Sequence, residues 1–200
     1  TRNLLSRVRC GKFIFTSSSS VYAQNDGSIV TEQSAAEPSS PTSQVLRETE
    51  QLLLGSKVPA VILRVTGIYG PGRGFLFQHY LRGEARIHGD GGRFLNMIHR
   101  DDVVGAMLAA IDRGRAGEIY NVTDDEPATE RDFFAWLAKQ LQRELPPRVS
   151  EGELISRKRG LTSKRVSNQK LRRELHYELI YPSFREGYAV EIARLHGRAS

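Results

Sequence analysis

The stretch FIFTSSSSVYAQ, residues 13–24, sets four consecutive hydroxyls, Ser17–Ser20, at the end of an apolar run, then returns to apolar side chains at Val21 and Tyr22. A serine oxygen both donates and accepts hydrogen bonds. A row of them at a strand end therefore holds a ligand oxygen or satisfies backbone groups where the ladder stops. A second reactive group, His99, Asp101 and Asp102, closes the stretch NMIHRDD. Its ordinary structural reading is that Asp101 or Asp102 caps the following helix while His99 packs against it. The third is RKRGLTSKRVSNQKLRR, residues 157–173, with eight Lys/Arg and no acid. The whole chain carries +6, so the remainder sums to −2 and the basicity belongs to this segment alone. Without interleaved aromatics the run does not read as a nucleic-acid surface, and its first part, RKRGLTSKR, reads as a solvated loop.

Alternating elements would position these groups. Residues 1–8 read as the end of an amphipathic helix, with Leu4, Leu5 and Val8 at helical spacing. KFIFT (12–16) is a short apolar strand leading into the serines, and 23–41 is a polar, proline-bearing loop. SQVLRETEQLLLG (43–55) is helical, PAVILRV (59–65) is a second apolar strand, and GIYGPGRG follows as a turn. A helix over 75–83, two short extended pieces in RIHGDGGRFLNMIH, and a helix from Asp101 or Asp102 through Asp112 come next. GEIYNVTD (117–124) supplies a third strand. Helices follow over 130–142, near 167–175 and over about 183–195.

Strands apolar on both faces that alternate with helices imply a parallel sheet between helical layers. Three strands are few for such a sheet, and FIFT needs a neighbour on each side. Together with a first residue that is Thr, this predicts that the sequence starts partway through a larger fold. The single cysteine, Cys10, excludes an internal disulfide, and no Cys/His metal spacing occurs. No apolar run reaches the roughly 20 residues of a membrane span, so no membrane partner and a cytoplasmic location are expected.

The succession TRNLL, FIFTSSSSVY, ILRVTGIYGPGRG, NMIHRDDVVGAML, GEIYNVTDDEP, SNQKLRREL and YPSFREGY resembles the extended short-chain dehydrogenase/reductase superfamily, in its NAD-dependent epimerase/dehydratase branch. The resemblance implies a partial Rossmann-like, doubly wound parallel sheet over 1–70 and 101–128, its N-terminal βαβ units preceding Thr1. A small substrate lobe would comprise 71–100 and 129–200. NAD or NADP is the implied cofactor, and a nucleotide sugar or similar small molecule the implied substrate, with a possible homodimer through 43–54 and 1–8. Residue by residue, the resemblance points to Ser18 as the hydroxyl that hydrogen-bonds the reacting substrate oxygen. It points to Thr16, Ser17, Thr66, Gly67 and Ile68 beside the cofactor, and to Asn96, His99 and Arg165, with Lys164 next to it, on the substrate. An Arg suits a diphosphate because its planar fork donates two hydrogen bonds at once.

Two departures temper what the resemblance implies. The family's glycine-rich pyrophosphate turn is absent: GPGRG (70–74) and GDGG (89–92) have the wrong spacing. Weak dinucleotide binding, or none, is therefore expected of these 200 residues. The Tyr and Lys that exchange the proton in the family fall at Thr42 and Leu46, counted from Glu50. Threonine is no practical base near neutral pH, and leucine carries no charge. None of the seven tyrosines has Lys four residues on, although Tyr69 and Tyr181 have Arg73 and Arg185 there. An active enzyme of this type and a non-catalytic dinucleotide- or metabolite-binding module of the same fold both remain open at this point.

Overall fold

The computed structural model describes residues 7, 9–150 and 162–197. The helix expected over 1–8 therefore lies, Arg7 apart, outside the described residues, as do 157–161 of the basic run. The three apolar runs form one parallel sheet in the order β1 (Phe13–Ser18), β3 (Ala60–Val65), β8 (Ile119–Val122). Phe13 stands opposite Ala60 and Ser18 opposite Val65, while Ile62 to Val65 face Ile119 to Val122. Side chains alternate along a strand, so β3 must bury both faces. Val61, Leu63 and Val65 pack on one side with Ala106, Ala109 and Ala110 of α3 (Arg100–Arg113) and Leu171 and Leu175 of α5 (Gln169–Leu175). Ala60 and Ile62 pack on the other with Leu53 of α1 (Pro41–Leu54). Helices thus cover both faces, as a doubly wound sheet requires. Among the described residues β1 pairs with β3 alone, and Phe13, Ile14 and Phe15 are only half-buried.

A second apolar cluster gathers the remaining helices, α2 (Phe75–Leu81), α4 (Glu130–Leu141) and α6 (Phe184–His196), around Phe77, Phe133, Phe134, Leu137, Phe184 and Tyr188. Short strand pairs tie it to the sheet. β4 (Gly67–Tyr69) continues from β3 and runs parallel to β7 (Met97–His99), and β6 (Phe94–Leu95) lies antiparallel to β9 (Ala128–Thr129). β5 (Ile87–His88) pairs with β10 (Arg148–Val149), and β2 (Ile29–Val30) with β11 (Arg165–Val166). The helix expected near 167–175 is α5, whereas the described end of RKRGLTSKR is not a solvated loop, because Arg165 opens β11. Alternate residues here face the interior: Lys164, Val166 and Asn168 are buried. α5, drawn into the substrate lobe by the sequence boundaries, packs instead on the sheet through Leu171 and Leu175.

Candidate functional site

The carboxyl ends of β1 and β3 open into a cleft of about 300 Å³. Parallel sheets present their strand ends to ligands at this edge, because the loops that leave them diverge there. Ser18 closes β1, and its Oγ accepts the Ser20 N–H at 3.2 Å, capping the single helical turn Ser19–Val21. Ser18, Ser19 and Ser20 line the cleft, as do Thr66, Gly67 and Ile68 from the step between β3 and β4. Ser20 Oγ accepts from Ser43 Oγ at 2.9 Å, and Ser43 in turn accepts from Ser40, the N-cap of α1.

Two of the residues assigned to the cofactor lie elsewhere. Ser17 points to the opposite face of β1, is buried, and donates to Glu50 Oε1 at 2.7 Å. Thr16 is exposed on the face that Ser18 shares, two residues back from the edge. Asn96 does line the cleft, but its amide holds backbone. Nδ2 donates to Lys164 O at 2.9 Å, and Oδ1 accepts the Val166 N–H at 2.7 Å. Asn96→Ala would strip both partners from the chain that carries Lys164, a loss of about 1–3 kcal/mol read by urea unfolding. A change below roughly 0.5 kcal/mol would show that this clamp contributes nothing.

His99 is buried away from the cleft, between Tyr69 at 5.3 Å and Tyr181 at 3.9 Å, centroid to centroid. It caps α3 itself: Nδ1 accepts the Asp101 N–H at 3.2 Å, so neither Asp101 nor Asp102 is the cap expected from sequence. Burial pushes its imidazole below the ordinary range and keeps it neutral. Arg165 is also turned away, with Nε donating to Gly27 O at 2.8 Å and the guanidinium 5.2 Å from the Phe94 ring centroid. At the two positions matching the family's Tyr and Lys, Thr42 is exposed in the first turn of α1, and Leu46 packs beside Val21, Tyr22 and Val30.

The structure brings Lys164 into the cleft in place of Arg165 and adds two residues that the sequence did not single out, Arg93 and Tyr188. Lys164 sits one residue before Arg165 and points the other way. Its Nζ donates to Tyr22 O at 2.9 Å and Thr162 Oγ1 at 2.7 Å, and desolvation pushes its pKa down to about 8. Arg93 bonds Glu130 Oε1 through Nη2 at 2.7 Å, while its buried Nε has no partner among the described residues. Tyr188 stacks on Tyr69 at 4.3 Å, and burial raises both phenols. The stack needs glycines: a Cβ on Gly74, at φ 131°, would stand 2.7 Å from the Tyr188 hydroxyl, and one on Gly187 would collide with Tyr69. Behind the pair, burial lifts the Asp124 carboxyl well above its usual range. Among the described residues no carboxylate lines the cleft, and no His/Cys/Asp/Glu cluster suits a metal ion.

Helices on both faces of a parallel sheet, with hydroxyls converging at the carboxyl edge, define a Rossmann-like α/β protein. A model of the NAD dependent epimerase/dehydratase family matches residues 1–123, and the chain belongs to that family. It is 30% identical over 162 residues to the 3-diazoavenalumate denitrifying reductase of a Streptomyces species, an alignment covering 75% of this chain. The chain spans 53% of the length of that relative. Among solved structures, a functionally unknown conserved protein from Silicibacter pomeroyi superposes with a TM-score of 0.84 at 28% identity, over 97% of this chain and 70% of that one. UDP-glucuronic acid 4-epimerase from Bacillus cereus, solved with UDP-glucuronic acid and NAD, gives 0.80 at 24% identity, over 98% and 66%, and shares the fold. No described helix is long and apolar enough to cross a membrane.

Proposed function

We propose that the protein receives the nicotinamide end of NAD or NADP against Thr66, Gly67 and Ile68, and acts in the adjoining cleft on a nucleotide sugar or similar small molecule. The observation that carries this reading is the meeting of Ser18 with the β3–β4 step in one cleft at the strand ends. NAD in solved members of the fold, such as the Bacillus cereus epimerase, supports the choice of cofactor. When bound, the dinucleotide supplies a hydride acceptor or donor. The chain's own contribution is positional: Ser18 Oγ accepts the Ser20 N–H and donates to no acceptor among the described residues, so its O–H can reach a substrate oxygen. Gly67 lets a planar ligand approach the backbone, its N–H held by Asn96 O at 3.0 Å.

A second reading, a binding module without turnover, is favoured by Thr42 and Leu46, which cannot exchange a proton. NADH and NADPH fluorescence titrations test the shared premise. Weak but saturable quenching is expected, because no glycine-rich turn opens a helix from a sheet strand among the described residues. No quenching by either dinucleotide would overturn both readings. Turnover then separates them: in an active enzyme Ser18→Ala lowers kcat about a hundredfold and leaves NADH binding unchanged.

A further inference from the structure

The cleft has a charge balance that a diphosphate would not choose. Two cations, Lys164 and Arg93, line it, and no carboxylate among the described residues does. Arg93 is already matched by Glu130 at 2.7 Å. Lys164 is 3% exposed and makes no ion pair among the described residues; a carbonyl and a hydroxyl are its partners. An ammonium donates three hydrogen bonds, so one donor is left for the cleft. A buried cation without a counter-charge is costly, and a ligand anion relieves that cost. One uncompensated positive charge matches a monoanion. The volume, about 300 Å³, lies at the low end of the roughly 300–1,000 Å³ range of small-molecule pockets. The Phe94 and Tyr188 rings in the walls suit a flat, unsaturated body.

We propose that Lys164 and Arg93 form a carboxylate-binding site, so that the cleft takes a small organic acid with an aryl or unsaturated body. This rests on the reading above for the cleft's position, and it narrows the ligand from nucleotide sugars to small carboxylates. Arg93 contributes its positive charge in the cleft wall, and Lys164 its third N–H.

The site is pH-linked. Arg93, Tyr69 and Tyr188 share the cleft with Lys164, Tyr22 lies behind it, and Arg165 is turned onto Gly27. Desolvation alone depresses the amine, to about 8. A bound carboxylate favours the protonated form, so binding takes up a proton above that pH and affinity falls as pH rises.

Isothermal titration with cinnamate, its neutral isostere cinnamamide, and UDP tests the site in the full chain. Cinnamate is expected to bind at least about tenfold tighter than either competitor at pH 7, and to weaken about tenfold or more by pH 9.5. Lys164→Met abolishes the preference. Lys164→Arg keeps it but removes the pH dependence, which guards against a Met variant that fails to fold, and Arg93→Gln weakens it several-fold. Equal binding of the amide, tighter binding of UDP, a flat pH profile in the parent protein, or absence of cinnamate binding would each overturn the proposal. NADH titration runs beside it: intact quenching without cinnamate preference rejects this site alone, and lost quenching rejects the reading beneath it.

Discussion

Glu50→Ala is expected to lower stability by about 3–5 kcal/mol, enough to unfold much of the protein. Glu50 is fully buried on α1 and faces Arg64 of β3, which is 1% exposed. The pair is bidentate, with Arg64 Nε on Oε1 at 3.0 Å and Nη2 on Oε2 at 2.7 Å. Arg64 Nη1 continues to the Tyr22 hydroxyl at 2.9 Å, and that hydroxyl donates to Asn121 Oδ1 at 2.9 Å. Removing the carboxylate leaves a guanidinium in the sheet interior with no counter-charge, and leaves Ser17 Oγ without its acceptor. Arg64→Met alone is damaging for a related reason, because Glu50 then keeps only the half-buried Arg47, at 3.3 Å, and the Ser17 hydroxyl. The double variant Glu50→Leu, Arg64→Met buries no charge and should recover about half or more of the loss, because a buried pair is worth little more than its apolar replacement. Urea unfolding followed by circular dichroism gives all three values. A single-variant loss under about 1 kcal/mol, or an additive double variant, would refute this account. The network also shapes the cleft: it fixes Ser17, beside Ser18, and Tyr22, whose carbonyl receives Lys164.

What could be read from sequence follows from how local each feature is. FIFT, AVILRV and EIYNV are continuous apolar runs between breakers, and all three are strands of the central parallel sheet in the structure. Helix α1 ends at Gly55 as expected but begins at Pro41, earlier than the apolar periodicity suggested, because Ser40 caps it. The resemblance pointed to Ser18 and to Thr66–Ile68, and because all four lie at strand ends they line the cleft. Lys164 and Arg165 were not separable. Adjacent residues of an extended segment face opposite ways, and which one enters the cleft depends on pairing with β2, more than a hundred residues earlier. Glu50 served only as the point from which the family positions were counted, since only the fold brings Arg64 and Ser17 to it. Arg93 follows a glycine-rich turn whose spacing argued against a phosphate loop, and nothing local marked it for the cleft.

Asp101 and Asp102 show the same limit and supply the second large effect. Either could cap α3 by sequence; in the structure neither does, and the two differ in almost every respect. Asp101 is half-buried, and its ion pair with the exposed Arg100 is a surface contact, so Asp101→Ala should change stability by less than about 1 kcal/mol. Asp102 is fully buried. Its Oδ1 accepts from the Ile180 N–H at 2.7 Å and the Tyr177 hydroxyl at 2.9 Å, and its Oδ2 from the Tyr181 N–H at 3.0 Å. Three donors and the amino end of α3 stabilise the carboxylate without a cation. Asp102→Ala orphans two backbone N–H groups and a phenol, a loss of about 3–5 kcal/mol. Asp102→Asn should fall between, at about 1–3 kcal/mol, because the amide turns an NH2 towards one of the donors. The consequence reaches the cleft, since the 177–181 segment leads through Pro182 into Ser183, which caps the helix carrying Tyr188. Asp102→Asn should therefore loosen Tyr188 while the sheet stays folded. Faster amide hydrogen exchange over 181–190, with 60–65 still protected, is the expected signature. Equal losses for the Asp101 and Asp102 variants would mean that Asp102 does not tether this turn.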